Sequence, residues 1–264
     1  MAADLFDMEL RATRRDRAFR GGVELFLYER AFDDCLDRLA LVQRRFRSAL
    51  LIGCPDPDWP KRLAARVDRV EAVDPGPELA KAAAGLCANE ESIDVQTGEF
   101  DLCVAIGTFD TVNDLPRAMT AIRRALAPDG LLLGALTGGN SLPQLRAAMH
   151  EADRTEGVAV PHVHPRIDPP TLAALLAAAG FMNPVVDVDR AQVAYKSLGR
   201  LVSDLRAMGT TNILKARPRR ALSRAARQAA VDAFAAAGDG TRTVETYEIL
   251  HFAAWNPVAG LSGR

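Results

Sequence analysis

His162 and His164, two positions apart, would put both imidazoles on one side of an extended segment, the arrangement a metal ion asks of its first two ligands. A third donor would have to come from elsewhere, with Asp168 and His150 as candidates; the other reading is an irregular loop with surface histidines, and no metal is expected. Asp110, in Phe109-Asp110-Thr111-Val112, could meet a cationic substrate or cap a following helix. Asp74 closes an apolar run just before Pro75-Gly76, where aspartate commonly turns the chain. No two of Cys35, Cys54, Cys87 and Cys103 stand at CxxC spacing, so neither a zinc knuckle nor a dithiol redox motif is supported. Cys54 and Cys103 lie in apolar runs, where a thiol packs as a small hydrophobe. The sequence carries neither a nucleophile elbow nor a Walker loop.

The elements that must position these residues alternate. Ala49 to Cys54 is a continuous apolar run, the mark of a strand buried on both faces. Helical text from Trp59 to Val67 leads to a strand at Val70–Asp74. A helix at Pro77–Leu86 is then followed by strands at Ser92–Val95 and Asp101–Ile106. Leu115, Ala118, Met119, Ile122 and Leu126 recur at helical spacing, and Pro128-Asp129-Gly130 turns the chain into a strand at Leu131–Leu136. This order predicts parallel strands joined by right-handed crossovers, hence a doubly wound α/β sheet. Two helices precede it, over Leu5–Phe19 and Phe26–Arg45. Beyond it, helices are expected at Leu142–Glu156, Thr171–Ala179 (stopped by Gly180), Leu198–Met208 and Arg220–Ala237, with late strands at Val185–Tyr195 and Val244–Trp255.

The text Val112-Asn113-Asp114-Leu115-Pro116-Arg117-Ala118, followed by Leu126-Ala127-Pro128-Asp129-Gly130-Leu131, resembles the helix, turn and strand that follow strand four in class I S-adenosylmethionine-dependent methyltransferases. Leu5-Phe6-Asp7 with Arg14-Arg15-Asp16-Arg17-Ala18, Gly138-Gly139-Asn140-Ser141-Leu142, Ala179-Gly180-Phe181 and Asp204-Leu205-Arg206-Ala207-Met208-Gly209 narrow the likeness. They are similar to a group holding the bacterial relatives of the fifth assembly factor of mitochondrial complex I and, more distantly, the malonyl-carrier-protein methyltransferases. The resemblance implies a Rossmann-like fold with seven mostly parallel strands and helices on both faces. With the element pattern, it divides the chain into a helical segment over 1–45 and a methyltransferase-like domain over 46–256 with helical additions around 140–180 and 196–237; residues 257–264 carry no pattern and are expected to form a loose tail.

The resemblance also places S-adenosylmethionine across the ends of the first two strands, where open α/β sheets bind ligands. Gly53 and Cys54 would line the methionine pocket and Asp74 would hold the ribose, with Asp94 and Ile106 completing the cofactor set. Asp110 and Asn113 would face the substrate. The family's glycine-rich loop is altered, however. Leu51 stands at its acidic position, and Pro55 and Pro57 replace two glycines that would bring backbone amides close to the ligand. Proline fixes φ and removes an N–H. The loop between Asp94 and Asp101 is also short. Two functions stay open: an enzyme acting on a protein, by methyl transfer or by the arginine hydroxylation attributed to the mitochondrial relative, or a non-catalytic assembly protein that has lost the cofactor.

The 264 residues are 48% hydrophobic and 25% charged, ordinary for a globular chain. A net charge of −1 gives no basic excess of the kind nucleic-acid binders show. No apolar run approaches the roughly 20 residues that span a bilayer, and Asp4, Asp7 and Glu9 stand where a signal core would need apolar residues. A cytoplasmic location, a protein partner and no membrane insertion are the expectations. Basic residues gather at Arg11, Arg14, Arg15, Arg17 and Arg20 and again from Lys215 to Arg227, read as solvated helix faces or as docking surface for an acidic partner.

Overall fold

The computed structural model describes residues 4–22 and 24–258. Helices α1 (Met8–Arg20) and α2 (Phe26–Leu41) come first, then β1 (Phe46–Ile52), α3 (Trp59–Ala64), β2 (Val67–Asp74), α4 (Pro77–Ala82), β3 (Leu86–Cys87) and β4 (Phe100–Ile106). There follow α5 (Leu115–Ala125), β5 (Leu126–Thr137), α6 (Pro143–Glu156), α7 (Pro169–Ala178), β6 (Met182–Tyr195), α8 (Leu198–Ala207), α9 (Arg224–Ala236) and β7 (Thr243–Trp255). The seven strands form one sheet in the order β3-β2-β1-β4-β5-β7-β6. β1 pairs in parallel with both β2 and β4, while β7 runs antiparallel to β5. This is the doubly wound, mostly parallel architecture that the alternating pattern and the resemblance both predict, with the two late strand candidates as its sixth and seventh strands.

The chain gathers into two compact units. One comprises residues 25–138, 167–189 and 249–264. In it Leu50, Ile52, Phe100, Cys103, Met119, Ile122, Leu132, Leu172 and Phe252 form an apolar core between the sheet and its helices. Burial pushes the Cys35 thiol up to about 12 and raises that of Cys103 as well, so both stay protonated and pack as apolar groups. The other unit comprises residues 1–24, 139–166 and 190–248 and is mainly helical. There α6 packs on α9 and α1 on α8. The buried Glu245 carboxylate accepts the Leu145 N–H at 2.9 Å and the Gln144 N–H at 3.3 Å, satisfying the amino end of α6 from outside the helix.

Three local expectations are corrected. Ser92–Val95 is not a strand; β3 is the pair Leu86–Cys87, opposite Val73 and Asp74. The reason lies at Gly85, where a Cβ would sit 2.3 Å from the Ala72 carbonyl oxygen. Only glycine lets the chain come that near to β2, and pairing with β2 begins at the next residue, Leu86. α9 begins at Arg224 rather than Arg220 because the Ser223 hydroxyl accepts the Ala226 N–H and caps the helix there. The arginines of α1 are not a solvated face throughout: Arg11 and Arg15 are only 3% and 5% exposed. Of the tail expected over 257–264, residues 259–264 lie outside the described residues.

Candidate functional site at the strand ends

β1 ends in Gly53, whose N–H donates to the Val73 carbonyl at 2.9 Å and so stitches the turn to β2. Its φ is +76°, and a Cβ there would lie 2.3 Å from Thr108 Cγ2 and 2.4 Å from the Ile106 oxygen. The next amide, that of Cys54, donates to Asp74 Oδ2 at 2.9 Å, and the Gly76 amide donates to Asp74 Oδ1 at 2.8 Å. Asp74 is 0% exposed. Gly53, Cys54, Asp74 and Ile106 are thus brought together, and the two backbone amides face the carboxylate rather than a cleft.

The turn beyond is held just as firmly. Pro55 is buried, and Cys54 Sγ lies 3.2 Å from the Asp56 carbonyl. Trp59 opens α3 with its ring stacked on Phe32 of α2 at 4.2 Å between centroids, and its Nε1 donates to Glu29 Oε1 at 2.7 Å. Arg62, one turn on, reaches Glu29 Oε2 at 2.6 Å and lies over the Phe32 ring. The Tyr28 ring of α2 packs against Gly107 at the end of β4.

The remaining candidates stand apart from this cluster in their bonding. Asp94 is exposed between Ile93 and Val95, which pack on the sheet's core. Asp110 is half-buried in a short 3-10 turn, Phe109–Thr111. The Asn113 amide donates to Glu91 Oε1 at 2.6 Å, and Asp114 caps α5 by accepting the Arg117 N–H. Glu91, Tyr28 and Thr108 are neighbours of the site that sequence reasoning missed; only Thr108, directly after Gly107 at the end of β4, offered a positional signal.

The paired histidines do not converge on a metal. His162 Nε2 lies 2.8 Å from Asp153 Oδ1, whereas His164 Nε2 accepts the Ile213 N–H at 2.9 Å and its ring meets Phe6 edge-on. Asp168 caps α7 by accepting the Thr171 N–H, and His150 lies beside Glu151. No group of three or more His, Cys, Asp or Glu able to hold a metal ion is found among the described residues.

Residues 25–184 match a family model described as a methyltransferase domain. The chain belongs to that family. It is 32% identical over 223 residues to arginine-hydroxylase NDUFAF5, mitochondrial, of Mus musculus, covering 80% of this chain and 65% of that protein. It is 37% identical over 153 residues to the malonyl-acyl-carrier-protein O-methyltransferase of Xylella fastidiosa (strain M23), covering 56% of this chain and 49% of that one. The chain therefore spans about two thirds of the mitochondrial relative's length and half of the bacterial one's. Among solved structures, the YcgJ protein of Bacillus subtilis shares the fold at a TM-score of 0.58 and 12% identity, covering 83% of this chain and 96% of that one. No helix among the described residues is long and apolar enough to cross a membrane.

Membership of this family makes S-adenosylmethionine the ligand to test against the site. A carboxylate that holds ribose hydroxyls must offer its oxygens to the ligand. That of Asp74 is out of solvent, with each oxygen accepting an amide N–H of its own chain. Pro55 and Pro57 add no N–H where the family's loop is rich in them. In this arrangement the residues do not fit the cofactor as the family holds it. What the arrangement does is close the turn: one buried charge satisfies two backbone donors and ties the end of β1 to the start of α4.

Proposed function

We propose that this chain is a methyltransferase-fold protein that binds a protein client during assembly of a respiratory complex, and that it no longer takes up S-adenosylmethionine at its strand ends. The single observation that carries the reading is the burial of Asp74 with the Cys54 and Gly76 amides on its two oxygens. Each oxygen already accepts one of these amides, and with the carboxylate wholly out of solvent a ribose hydroxyl has no open approach to its remaining lone pairs. The prolines at 55 and 57 support the same reading, because neither can supply the amides that would compensate. The client role follows from the resemblance to complex I assembly factors and from the identity to NDUFAF5 over most of the chain.

Calorimetric titration of the whole chain with S-adenosylmethionine and with its demethylated product tests the first half. Silence up to millimolar ligand is expected, and saturation in the micromolar range would sink it. The client half is tested by complementation. Cells lacking the chain should hold less assembled respiratory complex, and Asp110→Ala or Asn113→Ala protein should restore it as well as the native chain does.

A second reading, an enzyme modifying an arginine of its client, is favoured by the name of the relative matched over 80% of this chain. The half-buried Asp110, directly beyond β4, would then meet the cationic substrate, with Asn113 beside it. Complementation that fails with both variants while the proteins stay folded would favour this second reading over the first.

A further inference from the structure

The helical unit contains a cavity of about 480 Å³, within the range of small-molecule sites. Arg14 and Arg17 reach it from α1, Arg206 from α8, Arg166 from the segment after His164, and Arg217 from the loop before α9. The side chains lining it include no carboxylate among the described residues. Arg217 lies 3.0 Å from Asp7, and that aspartate is shared with the α1 cap it forms by accepting the Leu10 N–H. Arg14 donates to the Asn212 carbonyl, a neutral acceptor that leaves its charge in place.

The cost of this gathering shows on Arg14. Burial first, then the neighbouring charges of Arg217, Arg17 and Arg206, hold its guanidinium below the ordinary value, with Asp7 opposing. Arginine does not escape such repulsion by losing its proton, because even the lowered group stays charged at neutral pH. Like charges converging on a concave surface are relieved by an anion, and planar forks of N–H donors match the paired oxygens of phosphate or carboxylate. Thr210, Thr211 and Asn212 supply further polar groups on the same wall.

We propose that this cavity is a binding site for a small organic polyanion carrying two or more phosphate or carboxylate groups. The site lies wholly in residues of the helical unit, and it stands whether or not the strand ends hold a nucleoside.

The test is calorimetric titration of the whole chain, at a constant ionic strength near 0.15 M, with sodium pyrophosphate and separately with citrate. One of the two is expected to bind saturably at one site. Preference for pyrophosphate identifies a phosphorylated ligand, and preference for citrate a carboxylate. Arg17→Gln and Arg206→Gln change exposed side chains and leave the core untouched, and each should weaken binding at least tenfold. Arg227→Gln, an exposed charge on α9 away from the cavity, should leave it within twofold. The proposal is overturned if neither anion saturates, or if the Arg227 variant weakens binding as much as the two cavity variants. Neither result bears on the S-adenosylmethionine titration, so the two readings fail separately.

Discussion

At Asp74 a charged group sits entirely out of solvent because two amides of its own chain replace the water it has lost. Asp74→Asn keeps the size but turns an amide N–H₂ toward one of those donors. The variant should unfold about 2–3 kcal/mol more easily in urea, the scale of a lost bond to a buried charge. An unchanged denaturation midpoint would mean that Asp74 does not tie the turn. Gly53→Ala should be worse tolerated than an ordinary surface change, since its Cβ would strike the Ile106 carbonyl and Thr108 while φ stays at +76°. A loss of more than about 1 kcal/mol is expected, and wild-type stability would show that the turn can relax. The position of Asp74 at a strand end was legible in the sequence, and so were the prolines that break the loop. The direction of its carboxylate was not, because hydrophobic patterning marks where a strand stops but not which donors the terminal side chain meets.

Elements add their own test. His251 on β7 is buried, with Nδ1 2.9 Å from Asp34 Oδ2 of α2, and burial holds its pKa below the ordinary value more strongly than Asp34 raises it. The folded chain therefore takes up this proton less readily than the unfolded chain does. The stability it contributes is complete above pH ~6.5 and is lost as pH falls through the folded value. Urea midpoints measured from pH 8 to 5 should fall toward acid, and His251→Gln should flatten part of that slope; parallel profiles would remove His251 as the cause. At the other face of the sheet, Asp114→Ala deletes the cap of α5 and should cost about 1 kcal/mol by thermal unfolding, whereas no loss would mean the helix needs no cap. Most elements were legible because their apolar period is unambiguous. β3 was not: two residues carry no period, and what forms them is the close approach of Gly85 to β2, a tertiary event with no local signature.

Over the whole molecule, a near-zero net charge coexists with arginines gathered around one cavity of the helical unit. Composition hides this because charges of opposite sign elsewhere cancel it. The fold class was legible because the β-α alternation leaves few topologies, and a parallel sheet with an antiparallel β7 is the one adopted. The convergence of Arg14, Arg17, Arg206 and Arg217 was not, since four arginines separated by up to about 200 residues share no motif. The same fold elsewhere carries different chemistry, so the strand-end turn, not the sheet, decides whether a nucleoside is held.

The most direct measurement follows the backbone amides of Gly53, Cys54 and Gly76 by ¹⁵N–¹H correlation spectra while S-adenosylhomocysteine is added to the whole chain. With these donors already engaged by Val73 and Asp74, their resonances should stay in place up to millimolar ligand. Saturating shifts of all three at micromolar concentrations would contradict the closed turn and return this chain to the cofactor-binding members of its family.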